Sequence, residues 1–148
     1  MTKQVSDYTT ASELRSLMDN AKRLGRQDVW NDAFRRLCHL QGLDQSDPLH
    51  CAFYQTLAAY EQLLTEKNGR NTPASRTRQK LRNKGVVQCL EDWAVSRVPT
   101  DGYNLLIQQG MPELTGEYIV LRYPNRFSER AQVAARDRLS KSGVAPPA

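Results

Sequence analysis

The residues best suited to chemistry in this chain are the cations between Lys67 and Lys84. This stretch holds seven Lys or Arg side chains and no Asp or Glu. The whole chain of 148 residues has a formal net charge of +5, so the remaining residues together are net acidic. The positive charge is therefore local, and a local field of one sign indicates an anionic partner better than a high overall pI does.

The composition of this stretch predicts contact with nucleic acid. Lys and Arg side chains neutralise phosphates and release the condensed counterions. Short polar side chains near the start of a helix stand where free backbone N–H groups and the helix dipole attract phosphate. Arg and Gln side chains can also hydrogen-bond to base edges. The predicted nucleic-acid-binding residues are Lys67, Arg70, Asn71, Thr72, Ser75, Arg76, Arg78, Gln79, Lys80, Arg82 and Lys84.

The order of elements around the stretch resembles part of a known DNA-binding motif. A long helix with an apolar face is followed by a glycine-containing turn and a basic polar helix, which ends in Lys84-Gly85 before Val86-Val87. Over about residues 69–87, this order is similar to the recognition half of helix-turn-helix and winged-helix proteins. The resemblance implies binding of DNA through the basic helix. The predicted turn, residues 68–73, is longer than the compact turn of that motif, and no β-wing follows.

The same charges fit a second interpretation, in which the basic helix is a solvated edge helix. At about 100° per residue, Arg76, Lys80 and Lys84 lie on one flank of a narrow apolar stripe. Arg78 and Arg82 lie on the other flank. Such a surface could equally meet an acidic protein. The sequence therefore predicts a nucleic-acid-binding accessory or regulatory protein, with DNA as the expected target, and leaves a helical protein–protein adaptor as the alternative.

The cysteines and histidines predict neither a metal site nor a disulfide framework. The three cysteines are odd in number and far apart, and they sit on apolar helix positions, which is typical of core residues. Cys38-His39 and His50-Cys51 have the side chains that zinc accepts. Neighbouring residues on a helix point about 100° apart, so both members of such a doublet rarely face one ion. We predict no cofactor and no metal.

No catalytic signature is present in the chain. There is no nucleophile elbow and no glycine-rich phosphate loop, so enzymatic activity is not predicted. A nuclease built on carboxylates would need acids that face the basic stretch. Glu61, Glu66 and Glu91 could do so only if the fold brought them there, and charge balance on exposed faces is the simpler expectation.

The elements that must position the basic stretch are predicted to be helices. Thr10 and Glu13 have the spacing of a capping box at the start of the first helix, and Gly25 ends it. A second helix ends at Gly42, and the short turn between the two predicts an antiparallel hairpin. Pro48 opens a third helix that reaches a turn at Asn68-Gly69.

The second half of the chain continues the helical pattern. Thr72-Pro73 or Ser75 can open the basic helix and Gly85 can close it. Further helices are predicted from residue 86 to about 97, from 100 to 110 and from 128 to 139. Residues 113–123 fit either a helix or a strand, and a helix is favoured because no second strand is available to pair with them.

Together these elements predict an all-α fold, a single compact domain of about seven or eight short helices that opens with the antiparallel hairpin. Residues 10–139 would form this domain with the basic helix at its edge, between a flexible N-terminus (1–9) and a disordered tail (140–148). No apolar run reaches 18 residues and no signal peptide is visible, so we expect no membrane contact and a cytoplasmic location. The oligomeric state is left open.

Overall fold

The computed structural model describes residues 4–147. This range contains seven α-helices, three single-turn 3₁₀ helices and no β-strand, so the all-α prediction is confirmed. The chain divides into two compact units, one up to Ala59 and one from Tyr60 onward. The single domain over residues 10–139 stays a prediction, and residues 1–3 of the predicted flexible N-terminus and residue 148 of the predicted tail lie outside the described residues.

The first unit opens with the predicted helical hairpin. Helix α1 (Ala11–Arg23) begins at its cap Thr10, whose Oγ1 accepts a hydrogen bond from Glu13 N at 3.3 Å. A three-residue turn leads into α2 (Gln27–Gly42), and the two helices pack against each other. Burial of one Leu or Phe side chain contributes about 1.5–3 kcal/mol, so the facing apolar stripes stabilise the hairpin. Their buried residues are Leu14, Met18 and Ala21 on α1, and Trp30, Ala33, Phe34, Leu37 and Cys38 on α2.

Helix α3 (Pro48–Asn68) runs from the first unit into the second. Asp47 caps it, because its Oδ1 accepts a hydrogen bond from Leu49 N at 2.9 Å while Pro48 occupies the first helical position. Proline suits that position, where a backbone N–H would have no partner within the helix. The predicted start and end of this helix are both confirmed.

The second unit contains the end of α3 and the helices α4 (Ser75–Val95), α5 (Asp101–Gln108), α6 (Gly116–Arg122) and α7 (Glu129–Lys141). Helix α4 is broken at Gly85, where φ is +86° and ψ is 175°. Residues 75–84 therefore form a separate basic helical segment, as predicted, and residues 86–95 form the apolar segment that packs with α6 and α7. Within residues 113–123 the structure has no strand: α6 occupies Gly116–Arg122, and Thr115 Oγ1 caps it by accepting a hydrogen bond from Tyr118 N at 3.2 Å. The favoured helix is therefore confirmed over most of this range.

Arg138 on α7 ties the C-terminal end of α4 to α6. One guanidinium nitrogen, Nη1, donates to Trp93 O and to Glu117 Oε2, both at 2.8 Å, and Nη2 donates to Ser96 O. Glu117 is only 2% exposed, and its burial raises the pKa of the carboxyl group despite the charge and hydrogen bond of Arg138. The same guanidinium therefore caps a helix end and neutralises a buried carboxylate.

No helix within residues 4–147 combines the length and the apolar character that crossing a membrane would require.

Candidate nucleic-acid interface

The turn that precedes the basic helical segment is held by Thr72. Six residues separate the end of α3 at Asn68 from Ser75, the first residue of α4. Thr72 N donates to Thr65 Oγ1 at 3.0 Å, Asn68 Nδ2 donates to Thr72 Oγ1 at 3.2 Å, and that hydroxyl donates to Arg70 O at 2.8 Å. Thr72, which the sequence predicts as a nucleic-acid contact, is half-buried. Its backbone N–H and its hydroxyl group both form hydrogen bonds within the turn or to the end of α3.

The start of the basic segment is capped by a residue from α3. Ala74 occupies the N-cap position and has no side chain that could cap the helix. Neither Thr72 nor Ser75 is therefore the N-cap residue of the basic helix. Glu61 Oε2 instead accepts a hydrogen bond from Ala74 N at 2.8 Å, and the same carboxylate pairs with Arg78 through contacts of 2.6 and 2.7 Å. An anion of the chain itself therefore stands at the helix N-terminus, where the sequence suggests a phosphate.

The charge state of Glu61 follows from these contacts. Burial pushes the pKa of this carboxyl group up, but hydrogen bonds from Arg78 and Ala74 together with the charge of Arg78 outweigh burial, so the pKa lies below its ordinary value. The Glu61 side chain is 17% exposed and that of Arg78 is 45% exposed. Glu61 is accordingly ionised at neutral pH, and it neutralises Arg78.

A second acid from outside the basic stretch pairs with Lys80. Lys80 Nζ lies 3.1 Å from Asp92 Oδ2, and Gln88 Nε2 donates to Asp92 Oδ1 at 2.8 Å. The hydrogen bond from Gln88 lowers the pKa of Asp92 most. Burial has the next largest effect and raises it, and Lys80 and then Lys84 lower it further, so that the pKa lies below its ordinary value. Two of the seven cations of the stretch, Arg78 and Lys80, are therefore paired.

The other five cations of the stretch are available to a partner. Each is exposed, and none forms an ion pair or a side-chain hydrogen bond with any residue between 4 and 147. A charge that is exposed and unpaired attracts an external anion with a strength that solvent and salt reduce and that, for Lys84, the nearby charge of Asp92 reduces further. These five residues are Lys67, Arg70, Arg76, Arg82 and Lys84.

The basic helical segment presents one continuous exposed face, which we call the outward face. At 100° per residue its members span an arc of about 120°. All of them are exposed, and none is acidic. Arg78 and Lys80 border the arc on either side, while Thr77 and Leu81 lie on the opposite, half-buried side. The outward face consists of Ser75, Arg76, Gln79, Arg82 and Asn83.

The structure thus sorts the predicted contact residues into separate groups. Ser75, Arg76, Gln79 and Arg82 lie together on the outward face. Lys67, Arg70 and Asn71 lie exposed on the end of α3 and the turn, and Lys84 is exposed beside Gly85. Thr72, Arg78 and Lys80 form hydrogen bonds or ion pairs within the chain. Unlike the exposed residues above, they are therefore not free to contact an external phosphate.

Three residues shape this surface in ways that the sequence did not predict. Asn83 belongs to the outward face, and a helical wheel centred on the exposed direction instead of the apolar stripe would have included it. Glu61 and Asp92 lie outside the stretch and reach it only through tertiary structure. No local spacing rule pairs either acid with its cation.

The remaining acids near the stretch hold the fold together. Glu91 accepts hydrogen bonds from Ser128 N at 2.6 Å and Ser128 Oγ at 2.9 Å, which fixes the start of α7. Glu66 accepts a hydrogen bond from Gln62 at 3.2 Å. Among residues 4–147, no group of three or more His, Cys, Asp or Glu side chains is arranged to hold a metal ion.

The cysteines take structural positions. Cys38 and Cys89 are buried, and burial raises the pKa of the Cys38 thiol to about 12. Cys51 is half-buried, and its thiol donates to Gln45 O at 2.9 Å. A thiol that stays protonated is a poor nucleophile and a poor metal ligand, so Cys38 is not a reactive site.

Comparison with models of protein families, with curated proteins and with solved structures finds no match.

Proposed function

We propose that this chain binds nucleic acid, and DNA in the first place, as an accessory or regulatory protein. The observation that carries the proposal is the outward face, a strip of helix surface with two unpaired Arg side chains, three uncharged polar side chains and no acid. The exposed cations Lys67, Arg70 and Lys84 extend the positive surface to the turn and to the other end of the segment.

The five unpaired cations set the expected salt dependence of the interaction. Five phosphate contacts on duplex DNA predict a slope of about −4.5 in a plot of log K against log salt concentration. Arg78 and Lys80 contribute little to this slope, because Glu61 and Asp92 already neutralise them. A slope near −6 would mean that the two ion pairs open on binding.

Fluorescence anisotropy with a labelled duplex of random sequence, measured at several salt concentrations, tests the proposal. Changing Arg76 and Arg82 together to Ala should weaken binding and reduce the slope by about 1.8, since two phosphate contacts are lost. The matched control changes Arg130 and Arg136 to Ala. These two are also exposed, have the same spacing and lie on α7 without an ion pair. Equal binding by the two double variants would overturn the proposal.

An adaptor for an acidic protein would use the same cations and is the alternative outcome. It predicts no binding of the labelled duplex at physiological salt and no nucleic acid in the purified protein. The ratio of absorbance at 260 nm to that at 280 nm measures the second point directly. A raised ratio that falls after a high-salt wash supports the nucleic-acid proposal, because phosphate contacts are weakened by salt.

A further inference from the structure

We infer that the outward face reads base edges in the major groove of duplex DNA, with Gln79 and Asn83 as the residues that set sequence preference. This inference rests on the proposed function and goes beyond it, because binding through charge alone needs no particular bases. Phosphate contacts position a protein on a duplex, whereas contacts to base edges specify the sequence.

The two amides are placed for this role. Gln79 and Asn83 are one helical turn apart, both are exposed, and neither side chain hydrogen-bonds to any residue between 4 and 147. Each therefore keeps both a donor and an acceptor for an external partner. Adenine presents the matching pair, an N7 acceptor and an N6 donor, in the major groove.

The neighbouring arginines complement the amides. Arg76 and Arg82 lie on the same arc and are unpaired. On a duplex that lacks the preferred bases these two arginines contact phosphate, whereas on the preferred sequence they can donate two parallel hydrogen bonds to O6 and N7 of guanine. The strip therefore carries side chains for both purines. At 100° per residue the two amides lie between the two arginines on the arc, so one bound duplex can meet all four side chains.

The shape of the segment fits the groove of B-form DNA. An α-helix with its side chains is about 10–12 Å across, and the major groove is about 12 Å wide, so the groove admits one helix. The ten helical residues 75–84 would lie along it over about 15 Å. Lys67 and Arg70 before the helix and Lys84 at its end are exposed cations that precede and follow the strip in the chain. Contacts from these long side chains to the phosphates that border the groove would fix the register of the helix.

The composition of the segment favours duplex DNA over other nucleic acids. Proteins that hold single strands stack the bases on aromatic side chains, and residues 67–84 include no Phe, Tyr or Trp. The major groove of duplex RNA is too deep and narrow for side chains to read. The expected order of affinity is therefore the preferred duplex DNA first, with single-stranded DNA and duplex RNA well below it.

The test begins with selection from a pool of duplexes that carry a random core of about 20 base pairs. The full chain should enrich a short motif that contains A and G on one strand. Its affinity for the enriched duplex should exceed that for a scrambled duplex by at least tenfold. Changing Gln79 and Asn83 together to Ala should reduce this ratio by at least about tenfold, because each bidentate contact to a base contributes about 1–3 kcal/mol of discrimination.

Two controls separate base reading from charge. The same double variant should keep the salt slope of the wild-type protein on the scrambled duplex, since no phosphate contact is removed. Changing Asn104 and Gln108 to Ala removes two exposed amides with the same spacing from α5, and it should leave the affinity ratio unchanged. Circular dichroism of each variant shows whether the helix content is retained.

The possible results test base reading and nucleic-acid binding separately. If the wild-type chain binds all duplexes alike and no motif is enriched, base reading is wrong and nucleic-acid binding stands. If single-stranded DNA or duplex RNA binds as tightly as the enriched duplex, the assignment to the major groove is wrong. If no nucleic acid binds at physiological salt, both proposals fail.

Discussion

Lys80 Nζ lies 3.1 Å from Asp92 Oδ2, although the two residues are twelve positions apart in the chain. In a straight helix their Cα atoms would be about 18 Å apart along the axis. Gly85 lies between them with φ +86° and ψ 175°, and this break turns the basic segment relative to the apolar segment of α4. The ion pair bridges the break, so the direction of the outward face depends on Gly85 and on this contact together.

Changing Gly85 to Ala should destabilise the chain by about 1–3 kcal/mol, because non-glycine residues rarely adopt this backbone conformation. A Cβ at this position would meet no atom within 4 Å, so the loss comes from the backbone and not from a clash. Urea denaturation measures the change in the free energy of unfolding. In a double-mutant cycle, the coupling between Lys80 and Asp92 should also shrink in the Gly85→Ala background.

Gly25 is the matched control for this change, since it too has a positive φ, +70°, and a Cβ there would also meet no atom within 4 Å. Gly25→Ala should cost about 1 kcal/mol and leave the coupling between Lys80 and Asp92 intact. An unchanged coupling energy in Gly85→Ala would contradict the role of this glycine as the turning point of α4.

The end of the basic segment could be predicted from sequence, whereas its partners could not. Thr10 and Pro48 mark the starts of two helices, and Gly85 marks the end of the basic segment. These signals follow from local backbone rules, which depend only on neighbouring residues. Glu61 meets Arg78 across a turn, and Asp92 meets Lys80 across a break. Both pairs depend on the path of the chain between them. Counting charges along the sequence therefore yields their sum but not which of them remain unpaired.

Asp92→Asn should increase the affinity for duplex DNA at low salt by about two- to fivefold. The change removes a negative charge beside the proposed interface and frees Lys80, an effect of up to about 1 kcal/mol at this distance in water. Asp137→Asn is the control, since it frees Lys141 from a more exposed ion pair of similar length on α7. Anisotropy titrations of both variants give the comparison, and equal effects would show that only the net charge of the chain matters.

Glu61→Gln should lower the free energy of unfolding by about 1–2 kcal/mol at neutral pH, because the cap of α4 and the pair with Arg78 are both weakened. Asp19→Asn, at an exposed position without an ion pair on α1, should change it by less than about 0.5 kcal/mol. Chemical denaturation at neutral pH measures both. A loss no larger than that of the control would contradict the capping role of Glu61.

The effect of Glu61→Gln should depend on pH. The folded-state pKa of Glu61 lies below the ordinary value of 4.5. Its contribution to stability is therefore complete above that value and is lost as the pH falls through the folded pKa. Unfolding curves of the wild-type protein and the variant should differ at neutral pH and converge in acid. A difference that stays constant down to acid pH would assign the loss to packing instead of charge.

Arg138→Met should be the most destabilising of these changes, at about 3–5 kcal/mol, because it leaves the buried Glu117 without a counter-charge. Burial already raises the pKa of Glu117 in the wild-type chain, and removal of Arg138 should raise it further. Urea denaturation at several pH values measures the free energy of unfolding. Lys141→Met, which breaks a pair that is 75% and 61% exposed, should have little effect.

The pH dependence distinguishes the lost charge pair from the lost helix cap. An acid with a raised folded-state pKa is stabilised in its protonated form, so the variant should regain stability as the pH falls from the folded pKa of Glu117 towards the ordinary value of 4.5. The hydrogen bonds to Trp93 O and Ser96 O cannot be regained in this way. The part of the loss that persists at low pH therefore measures the capping of α4, and the part that disappears measures the buried charge of Glu117.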